Sequence, residues 1–296
     1  MKLIVVADPH IGIESNESQS VDTAHHLVQL VEHINTHHAD ASYCLFIGDL
    51  TNDGALKTYE RFKKFIEPLS VPPLLMIGNH DNRENFQTIF PQALRDENDF
   101  VQFTIDLDPG YRLVALDSLR APPFNRPYHH VGLLCPKRLT FLEDSLNAAS
   151  DQSVIIAMHH HPFRVGLPGI DALRLDDENT FMELIGHFPN VKMLLIGHIH
   201  RTISGIVHGL PFSCFKSLDV QAPLDFELID PVNGIAEPPS YGVLLLDEGG
   251  IIIHHDEFTA AVKPKSNWKE IQKTYPHVAE GFSNIVARML PEKGGI

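Results

Sequence analysis

The sequence is poor in cysteine, since its 296 residues include only Cys44, Cys135 and Cys214. The three are far apart, and none belongs to a Cys-x-x-Cys pair. A disulfide framework and a thiolate zinc site both need ordered sets of cysteines, so neither is expected. We expect unpaired, buried thiols, which is the usual state of free cysteine.

Basic residues are also scarce: 23 Lys and Arg face 38 Asp and Glu, and the formal net charge is −15. A protein that wraps nucleic acid neutralises phosphates with a basic surface, so this balance argues against a nucleic-acid partner. Long apolar runs are missing too, because no stretch approaches the ~20 residues of a membrane span. The apolar run Leu3–Ala7 is too short for a signal-peptide core. We therefore expect a cytoplasmic protein with no membrane partner.

Short apolar runs recur along the first 200 residues, each about as long as a buried strand. They are nearly continuous rather than alternating, which is typical of strands covered on both faces. Segments of helical spacing separate them, so the pattern predicts an α/β fold. The predicted strands are Leu3–Ala7, Tyr43–Ile47, Pro73–Ile77, Leu113–Leu116, Val154–Met158 and Lys192–Ile196. The predicted helices are residues 20–38, Ala55–Glu67, Asn82–Phe90, Pro136–Ala149 and Asp177–Phe188.

The pattern changes after residue 205. Short strands without helices, at Ile203–Val207, Tyr241–Asp247 and Ile251–Phe258, predict a second, more antiparallel sheet that completes the same domain. We place this domain at residues 1–258 and a C-terminal tail at residues 259–296. The tail holds the only tryptophan, in a loosely helical stretch from Trp268 to Leu290. We expect it to be helical and either to cap its own domain or to contact a second subunit of a homo-oligomer.

Histidine is abundant, with 19 residues, and several stand where predicted strands end. Five of the six strands are followed by oxygen or nitrogen ligands: Asp8-Pro9-His10, Gly48-Asp49, Gly78-Asn79-His80-Asp81, His159-His160-His161-Pro162 and Gly197-His198-Ile199-His200. Ligand-binding loops gather at the carboxyl ends of strands in open α/β sheets. Residues two apart on an extended chain point to the same side, where they can converge on an ion. The joint pattern predicts a metal centre.

The types of ligand residue narrow the choice of metal ion. Asp, His and Asn without thiolate suit divalent Mn, Fe, Zn or Co, and seven ligands exceed what one tetrahedral site uses. We therefore expect two divalent metal ions. Two-metal hydrolases hold ions about 3.5–4 Å apart, clamp a phosphoryl oxygen and activate a water. Such a centre would supply the positive charge with which an acidic protein binds a phosphate ester.

Together these motifs resemble the calcineurin-like metallophosphoesterase superfamily. The segments Gly48–Gly54, Gly78–Arg83 and His159–Asp171 resemble its bacterial class III cyclic-nucleotide phosphodiesterase and glycerophosphodiesterase branch, and the likeness extends to about residue 258. It implies the metallo-dependent phosphatase fold, a four-layer α/β/β/α sandwich. It also implies hydrolysis of a small phosphodiester by a metal-activated hydroxide. The expected substrate is a 3',5'-cyclic nucleotide, with a glycerophosphodiester or a phosphomonoester as the alternative.

The resemblance assigns a role to each motif residue. Six residues would each hold one ion, three per ion: Asp8, His10 and His200, and Asn79, His159 and His198. Asp49 would bridge the two ions. His80 would be the catalytic residue, stabilising charge or protonating the leaving oxygen. Asp81 would orient His80, and Arg83 is a candidate for contact with the substrate.

The end of the fifth predicted strand leaves one assignment open. The branch usually has His-His-Pro-Pro there, whereas this chain has His159-His160-His161-Pro162. Alignment on the strand and on Asp171 makes His159 the ligand, and alignment on Pro162 makes it His160; we favour His159.

A non-catalytic scaffold with this fold is the alternative function from a different class. Because such a protein would tolerate loss of ligands or of the catalytic histidine, the complete set argues against it.

Overall fold

A computed structural model describes residues 1–12, 22–125, 128–230 and 234–259, with residues 272–274, 276–277, 280–281 and 283–284 near the C-terminus. The chain divides into two compact units, Met1–Thr259 and Ala260–Ile296. The described residues of the second unit are helical. Trp268 lies outside the described residues, so the capping or subunit contact of the tail stays a prediction.

The first unit alternates strands and helices over its first 200 residues. In chain order its described elements are β1 (Lys2–Val6), α1 (Thr23–His37), β2 (Tyr43–Ile47), α2 (Leu56–Ile66), β3 (Pro73–Met76), α3 (Arg83–Ile89), β4 (Phe103–Leu107), β5 (Tyr111–Leu116), a 3-10 turn (Tyr128–His130), α4 (Pro136–Asn147), β6 (Ser153–Met158), α5 (Pro168–Asp171), α6 (Glu178–Gly186), β7 (Val191–Ile196), β8 (Ile203–Val207), β9 (Leu210–Cys214), β10 (Tyr241–Asp247) and β11 (Gly250–Asp256). Each predicted strand and helix of this unit is present, whereas β4, β9 and the short α5 were not predicted.

The strands form two sheets. The first has the order β11-β10-β1-β2-β3, and the second has the order β4-β5-β6-β7-β9-β8. Within the first sheet β1, β2 and β3 are parallel, and within the second β5, β6 and β7 are parallel. Parallel strands end at a common edge of their sheet, which is where the ligand motifs stand.

Alternate residues of a strand enter different hydrophobic layers, because side chains point to opposite faces with a period of two. In β1, Ile4 shares a buried cluster with side chains of α1, α2 and α3, whereas Leu3 belongs to the cluster between the sheets. In β6, Ile155 lies between the sheets and Ile156 packs with α4 and α6. Helices therefore cover both outer faces. The four-layer α/β/β/α sandwich is confirmed.

The strands after residue 200 do not form a sheet of their own, so that prediction is wrong. β10 pairs antiparallel with β1 and extends the first sheet together with β11. β9 pairs parallel with β7 and extends the second sheet together with β8. The hydrophobic pattern of a segment indicates that it is a strand, but not which strand it joins. Here the partner of β10 lies at the other end of the first unit.

Side-chain caps fix where two of the helices begin. The Asp22 carboxylate accepts a hydrogen bond from the His25 amide at 3.0 Å before α1, and the Asn82 side chain accepts one from the Asn85 amide at 3.1 Å before α3. Such caps satisfy amide groups that have no partner within the helix. The cap of α3 also fixes the loop that carries Asn79 and its neighbours.

The three cysteines are free, with Cys44 and Cys214 buried and Cys135 partly exposed. Burial raises the pKa of the Cys44 and Cys214 thiols, which therefore stay protonated and pack as small apolar side chains. Among the described helices, none combines the length and the apolar character needed to cross a bilayer.

Candidate metal centre

The loops after β1, β2 and β3 meet the loops after β6 and β7, and they bring the seven expected ligands together. Six of these residues are buried and His200 is partly exposed. Backbone contacts join the loops: the His10 amide donates to the Asp49 carbonyl at 2.9 Å, and the His198 amide donates to both Asp8 carboxylate oxygens at 3.1 Å. The site is therefore built from both sheets at their shared edge.

One group of potential ligands comprises Asp8, His10, Asp49 and His200, whose ligand atoms lie within 4.8 Å of one another. The Nε2 atoms of His10 and His200 are 3.0 Å apart, and Nε2 of His200 is 3.4 Å from Oδ1 of Asp8. Nδ1 of His200 lies 2.9 Å from the Val220 carbonyl, to which it can donate. That contact leaves the Nε2 lone pair directed at the carboxylates, as in many metal-binding histidines.

The second group of potential ligands comprises His159, His160 and His198, and Asn79 lies beside His159. Nε2 of His159 lies 3.3 Å from Oδ2 of Asp49 and 3.1 Å from Oδ1 of Asn79. Its Nδ1 can donate to the Ile47 carbonyl at 2.9 Å, so here too Nε2 is the nitrogen that can ligate. The His198 ring lies 5.1 Å from the His159 ring between centroids.

The Asp49 carboxylate stands between the two groups. Its Oδ2 lies 3.5 Å from Nε2 of His10 on one side and 3.3 Å from Nε2 of His159 on the other. Its Oδ1 accepts a hydrogen bond from the His80 amide at 2.8 Å, which fixes the plane of the carboxylate. One carboxylate therefore faces both sets of imidazoles.

Several features of these residues fit divalent cations. Among the described residues, the ion-pair partners of the buried Asp8 and Asp49 carboxylates are histidines. A buried carboxylate is costly without a compensating charge. His198 offers a buried Nε2 that has no hydrogen-bond partner within the described part of the chain. Donor types and unmet charge thus both point to bound metal.

The pKa values indicate the same need for positive charge. Burial lowers the pKa of His10 and of His198 well below the ordinary value, so both rings are neutral and able to ligate. Burial also acts to lower the pKa of His159, but the Asp49 carboxylate outweighs it and raises the pKa to about 9. In the metal-free protein a proton on His159 therefore compensates Asp49, and a metal ion would replace it.

Backbone strain is concentrated at the ligands. Among the described residues, seven other than glycine have a positive φ, and five of them are expected ligands: Asp8, His10, Asp49, His198 and His200. Such conformations cost free energy and cluster at functional sites. The absence of a side chain at Gly78 allows Asp49 and His159 to pack closely against it. A Cβ at this position would lie 2.3 Å from Oδ1 of Asp49 and 2.6 Å from the His159 ring.

His80 lies at the rim of this cluster and is partly exposed. Its ring packs edge-on against His10 with centroids 4.7 Å apart. Its Nδ1 is 2.9 Å from the Asn52 carbonyl, to which it can donate. This contact leaves Nε2 as the ring nitrogen that can exchange a proton with a ligand.

Asp81 is buried behind the site and contacts backbone rather than the His80 ring. Its carboxylate accepts hydrogen bonds from the amides of Gly78 at 2.9 Å and Leu50 at 3.1 Å, and from the Tyr59 hydroxyl at 2.8 Å. It therefore joins the loop after β2 to the loop after β3. The described contacts of Asp81 go to backbone amides and to the hydroxyls of Tyr59 and Thr51, so its role in orienting His80 stays a prediction.

Arg83 does not extend toward the site as a free cation. Its guanidinium makes two contacts with the buried Asp117 carboxylate, Nε to Oδ2 at 2.8 Å and Nη2 to Oδ1 at 2.9 Å. Nη1 also donates to the Ala121 carbonyl at 3.1 Å. Arg83 therefore forms a structural ion pair, and its suggested contact with a substrate stays a prediction. Asp117 was missed because it follows β5, the one predicted strand with no ligand motif.

His160 and His161 are both buried behind His159. Nδ1 of His160 lies 2.7 Å from the Ser118 hydroxyl, and Nε2 of His161 lies 3.5 Å from the Asp171 carboxylate. His160 still belongs to the group of potential ligands with His159 and His198. Only His159 of the three, however, faces both Asp49 and Asn79 among the described contacts.

Comparison with known proteins places this site in a family. Residues 1–202 match the family model described as calcineurin-like phosphoesterase, which is more than half of the chain. The chain belongs to this family. The resemblance drawn from the motifs is confirmed. The prediction that the protein is an enzyme that hydrolyses phosphoesters is confirmed with it.

Two relatives of this phosphoesterase cover most of its length. A protein of Rhodopseudomonas palustris named "probable cyclic nucleotide phosphodiesterase" is 34% identical over 87% of this chain and 93% of its own. A protein of Arcobacter nitrofigilis named "probable glycerophosphodiester phosphodiesterase" is 28% identical over 86% of this chain and 92% of its own. Among solved structures, a dimetal phosphatase of Danio rerio has the same fold, with a TM-score of 0.64, 14% identity and coverage of 87% of this chain and 96% of that one.

Proposed function

We propose that this phosphoesterase hydrolyses small phosphodiesters, 3',5'-cyclic nucleotides first among them, with two divalent metal ions. The observation that carries the proposal is the position of the Asp49 carboxylate, whose Oδ2 lies 3.5 Å from Nε2 of His10 and 3.3 Å from Nε2 of His159. A single carboxylate shared by two neighbouring groups of nitrogen and oxygen donors is the arrangement that two closely spaced ions require.

The division of ligands follows the two groups. One ion would be held by Asp8, His10 and His200. The other would be held by Asn79, His159 and His198, and Asp49 would bind both ions. We assign the fifth-strand ligand to His159 rather than His160, because Nε2 of His159 faces both Asp49 and Asn79 in the described contacts. Donors of this type suit Mn, Fe, Zn or Co, and we favour Mn or Fe.

The chain supplies binding, charge compensation and a proton. When bound, two divalent ions provide positive charge for the phosphoryl oxygens and a water activated at neutral pH. Nδ1 of His80 is held by the Asn52 carbonyl, so the proton that could pass to the leaving oxygen is the Nε2 proton of the imidazolium form, which leaves the ring neutral. Asp81 holds the loops of Asp49 and Asn79 together, which keeps their oxygens in place for the reaction.

Substrate size and charge support a small diester. The net charge of −15 disfavours long polyanions such as nucleic acid. The names of the two relatives point to cyclic nucleotides and to glycerophosphodiesters, and the higher identity favours the cyclic nucleotide. We place the activity in the cytoplasm, because the three free cysteines fit a reducing compartment.

The decisive experiment compares a diester with a monoester. Metal-stripped protein refilled with Mn is expected to hydrolyse bis(p-nitrophenyl) phosphate faster than p-nitrophenyl phosphate, and 3',5'-cyclic AMP faster than glycerophosphoethanolamine. Asn79→Ala is expected to lose this activity and one of two bound Mn ions. Preferential monoester turnover would make the enzyme a phosphatase, and absence of turnover with every divalent ion would make it a scaffold.

Metal counting needs one precaution. His33, His38 and Asp256 form a third, partly exposed group that could hold an ion. The count is therefore repeated on His33→Ala, which is expected to keep two ions and full activity.

The fifth-strand assignment is tested with His159→Ala and His160→Ala. Retention of both ions in the first variant and loss of one ion in the second would reverse the assignment.

Substitution of His80 tests proton donation. His80→Ala is expected to lower kcat for 3',5'-cyclic AMP by about 10²–10⁴-fold, the usual contribution of a general acid, while two Mn ions stay bound. The loss should be much smaller for bis(p-nitrophenyl) phosphate, because nitrophenolate leaves without protonation. An equal loss for both substrates would contradict proton donation and indicate charge stabilisation instead.

A further inference from the structure

A loop beyond the sequence motifs reaches the metal centre. It follows β5 and contains the 3-10 turn Tyr128–His130, which brings His130 to the rim of the site. Its Nδ1 lies 2.9 Å from Nδ2 of Asn79, and its ring lies 5.2 Å from the His80 ring between centroids. His130 therefore contacts an expected ligand on the side away from His159.

The orientation of the Asn79 amide matters for metal binding. An asparagine ligates through its carbonyl oxygen, whereas its NH₂ group can only donate hydrogen bonds. Oδ1 of Asn79 lies 3.1 Å from Nε2 of His159, on the side of the second ion. A reversed amide would direct two N–H groups at that ion and remove one ligand.

His130 offers an acceptor that selects one of the two amide orientations. Nδ2 of Asn79 must donate in this contact, so Nδ1 of His130 accepts. In the reversed orientation Oδ1 would face Nδ1 across the same distance, and the contact would then require the His130 tautomer with its proton on Nδ1. With Nδ1 as the acceptor, the contact favours the amide orientation in which the oxygen points to the ion.

The loop that carries His130 is fixed on both sides of the turn. Gly132 packs on the buried His160 ring so closely that a Cβ there would lie 2.5 Å from Cγ. The Gly132 amide donates to the Arg174 carbonyl at 3.2 Å. Within the turn, the His129 amide donates to the Asn125 carbonyl at 3.1 Å. The position of His130 is therefore set by the surrounding fold as well as by Asn79.

We propose that His130 is a positioning residue that holds the Asn79 amide with its oxygen toward the second metal ion. The inference rests on the proposed role of Asn79 as a ligand. Groups that hold a ligand in orientation typically contribute 10–100-fold to metal affinity or activity. His130 acts through Asn79, so its main effect falls on one of the two ions.

The test measures metal binding directly. Titration of metal-free protein with Mn²⁺, followed by calorimetry, gives the affinity of each site, and electron paramagnetic resonance detects the coupled pair of Mn ions. His130→Leu keeps the bulk but removes the acceptor, and is expected to weaken the second site about 10–100-fold and to reduce the coupled signal. His130→Asn places an acceptor oxygen near the position of Nδ1 and is expected to restore both. Tyr128→Ala, in the same turn and 70% exposed, is the control and should match wild type.

Each other outcome has a distinct meaning. If His130→Leu binds the second Mn as tightly as wild type while Asn79→Ala does not, the inference fails and the proposed ligand set stands. If Asn79→Ala also keeps both ions, the ligand assignment itself fails. If His130→Leu and His130→Asn are equally weakened, His130 acts through packing and the positioning role is overturned.

Discussion

Asp49→Asn is expected to lose nearly all activity, because it changes the one carboxylate that faces both groups of ligands. The substitution keeps the size of the side chain but removes its negative charge and replaces one oxygen with an NH₂ group that can only donate hydrogen bonds. Metal ions contribute several kcal/mol to stabilisation of the transition state. A loss of about 4 kcal/mol corresponds to about a 10³-fold fall in kcat/KM for bis(p-nitrophenyl) phosphate. Steady-state kinetics at saturating Mn measures this fall.

The same variant should change how metal affects stability. Wild-type protein is expected to gain about 2.7 kcal/mol per bound ion in the free energy of unfolding when Mn reaches 100 times the dissociation constant of that site. Asp49→Asn should lose most of this gain, and its metal-free stability should fall as well, because the substitution removes the buried partner of the protonated His159 ring. Asp53→Asn makes the same chemical change in the same loop at an exposed position and serves as the control. Retention of two tightly bound Mn ions and full activity in Asp49→Asn would refute the bridging role.

Much of the site could be predicted because its residues follow buried parallel strands. Strands covered on both faces produce short continuous apolar runs, so their ends are easily located in the sequence. The polar residues directly after β1, β2, β3, β6 and β7 therefore fall at the edge of the sheets. That local rule was sufficient to place Asp8, Asn79 and His198 in one site.

Contacts that join distant segments could not be predicted in this way. The partners of β9 and β10, the pairing of Arg83 with Asp117 and the contact of His130 with Asn79 depend on tertiary packing and have no periodic signal. The positive φ angles at Asp8 and His198 are of the same kind. Propensity disfavours them, and they persist because the surrounding structure imposes them.

Asp117 is the centre of a buried ion-pair network next to the site. Its carboxylate is fully buried and receives the Arg83 guanidinium at 2.8 and 2.9 Å, and Nη1 of Arg138 lies 3.6 Å away. The amides of Val101 and Leu119 also donate to it at 3.0 and 3.1 Å. Arg83 belongs to α3, Arg138 belongs to α4, and Asp117 itself follows β5. The network therefore joins these three elements.

Asp117→Ala is expected to lower the free energy of unfolding by about 3–5 kcal/mol, because it leaves the charges of Arg83 and Arg138 buried without their partner. Denaturant unfolding in the presence of a chelator measures the loss without a contribution from metal. Asp106→Ala is the matched control. Asp106 pairs with Arg112 at 2.7 Å but is 65% exposed, and surface pairs of this kind contribute about 1 kcal/mol or less.

The pH dependence separates this ion pair from a simple packing effect. Burial acts to raise the pKa of Asp117, but the Arg83 guanidinium outweighs burial and holds the pKa below the ordinary value. A carboxyl with a lowered pKa in the folded state stabilises fully above its unfolded pKa of about 3.9, and the contribution is lost as the pH falls through the folded value. The difference in stability between wild type and Asp117→Asn should therefore be constant from pH 5 to 8 and shrink below about pH 4. A difference that stayed the same under acid conditions would show that Asp117 acts through hydrogen bonds and packing rather than through its charge.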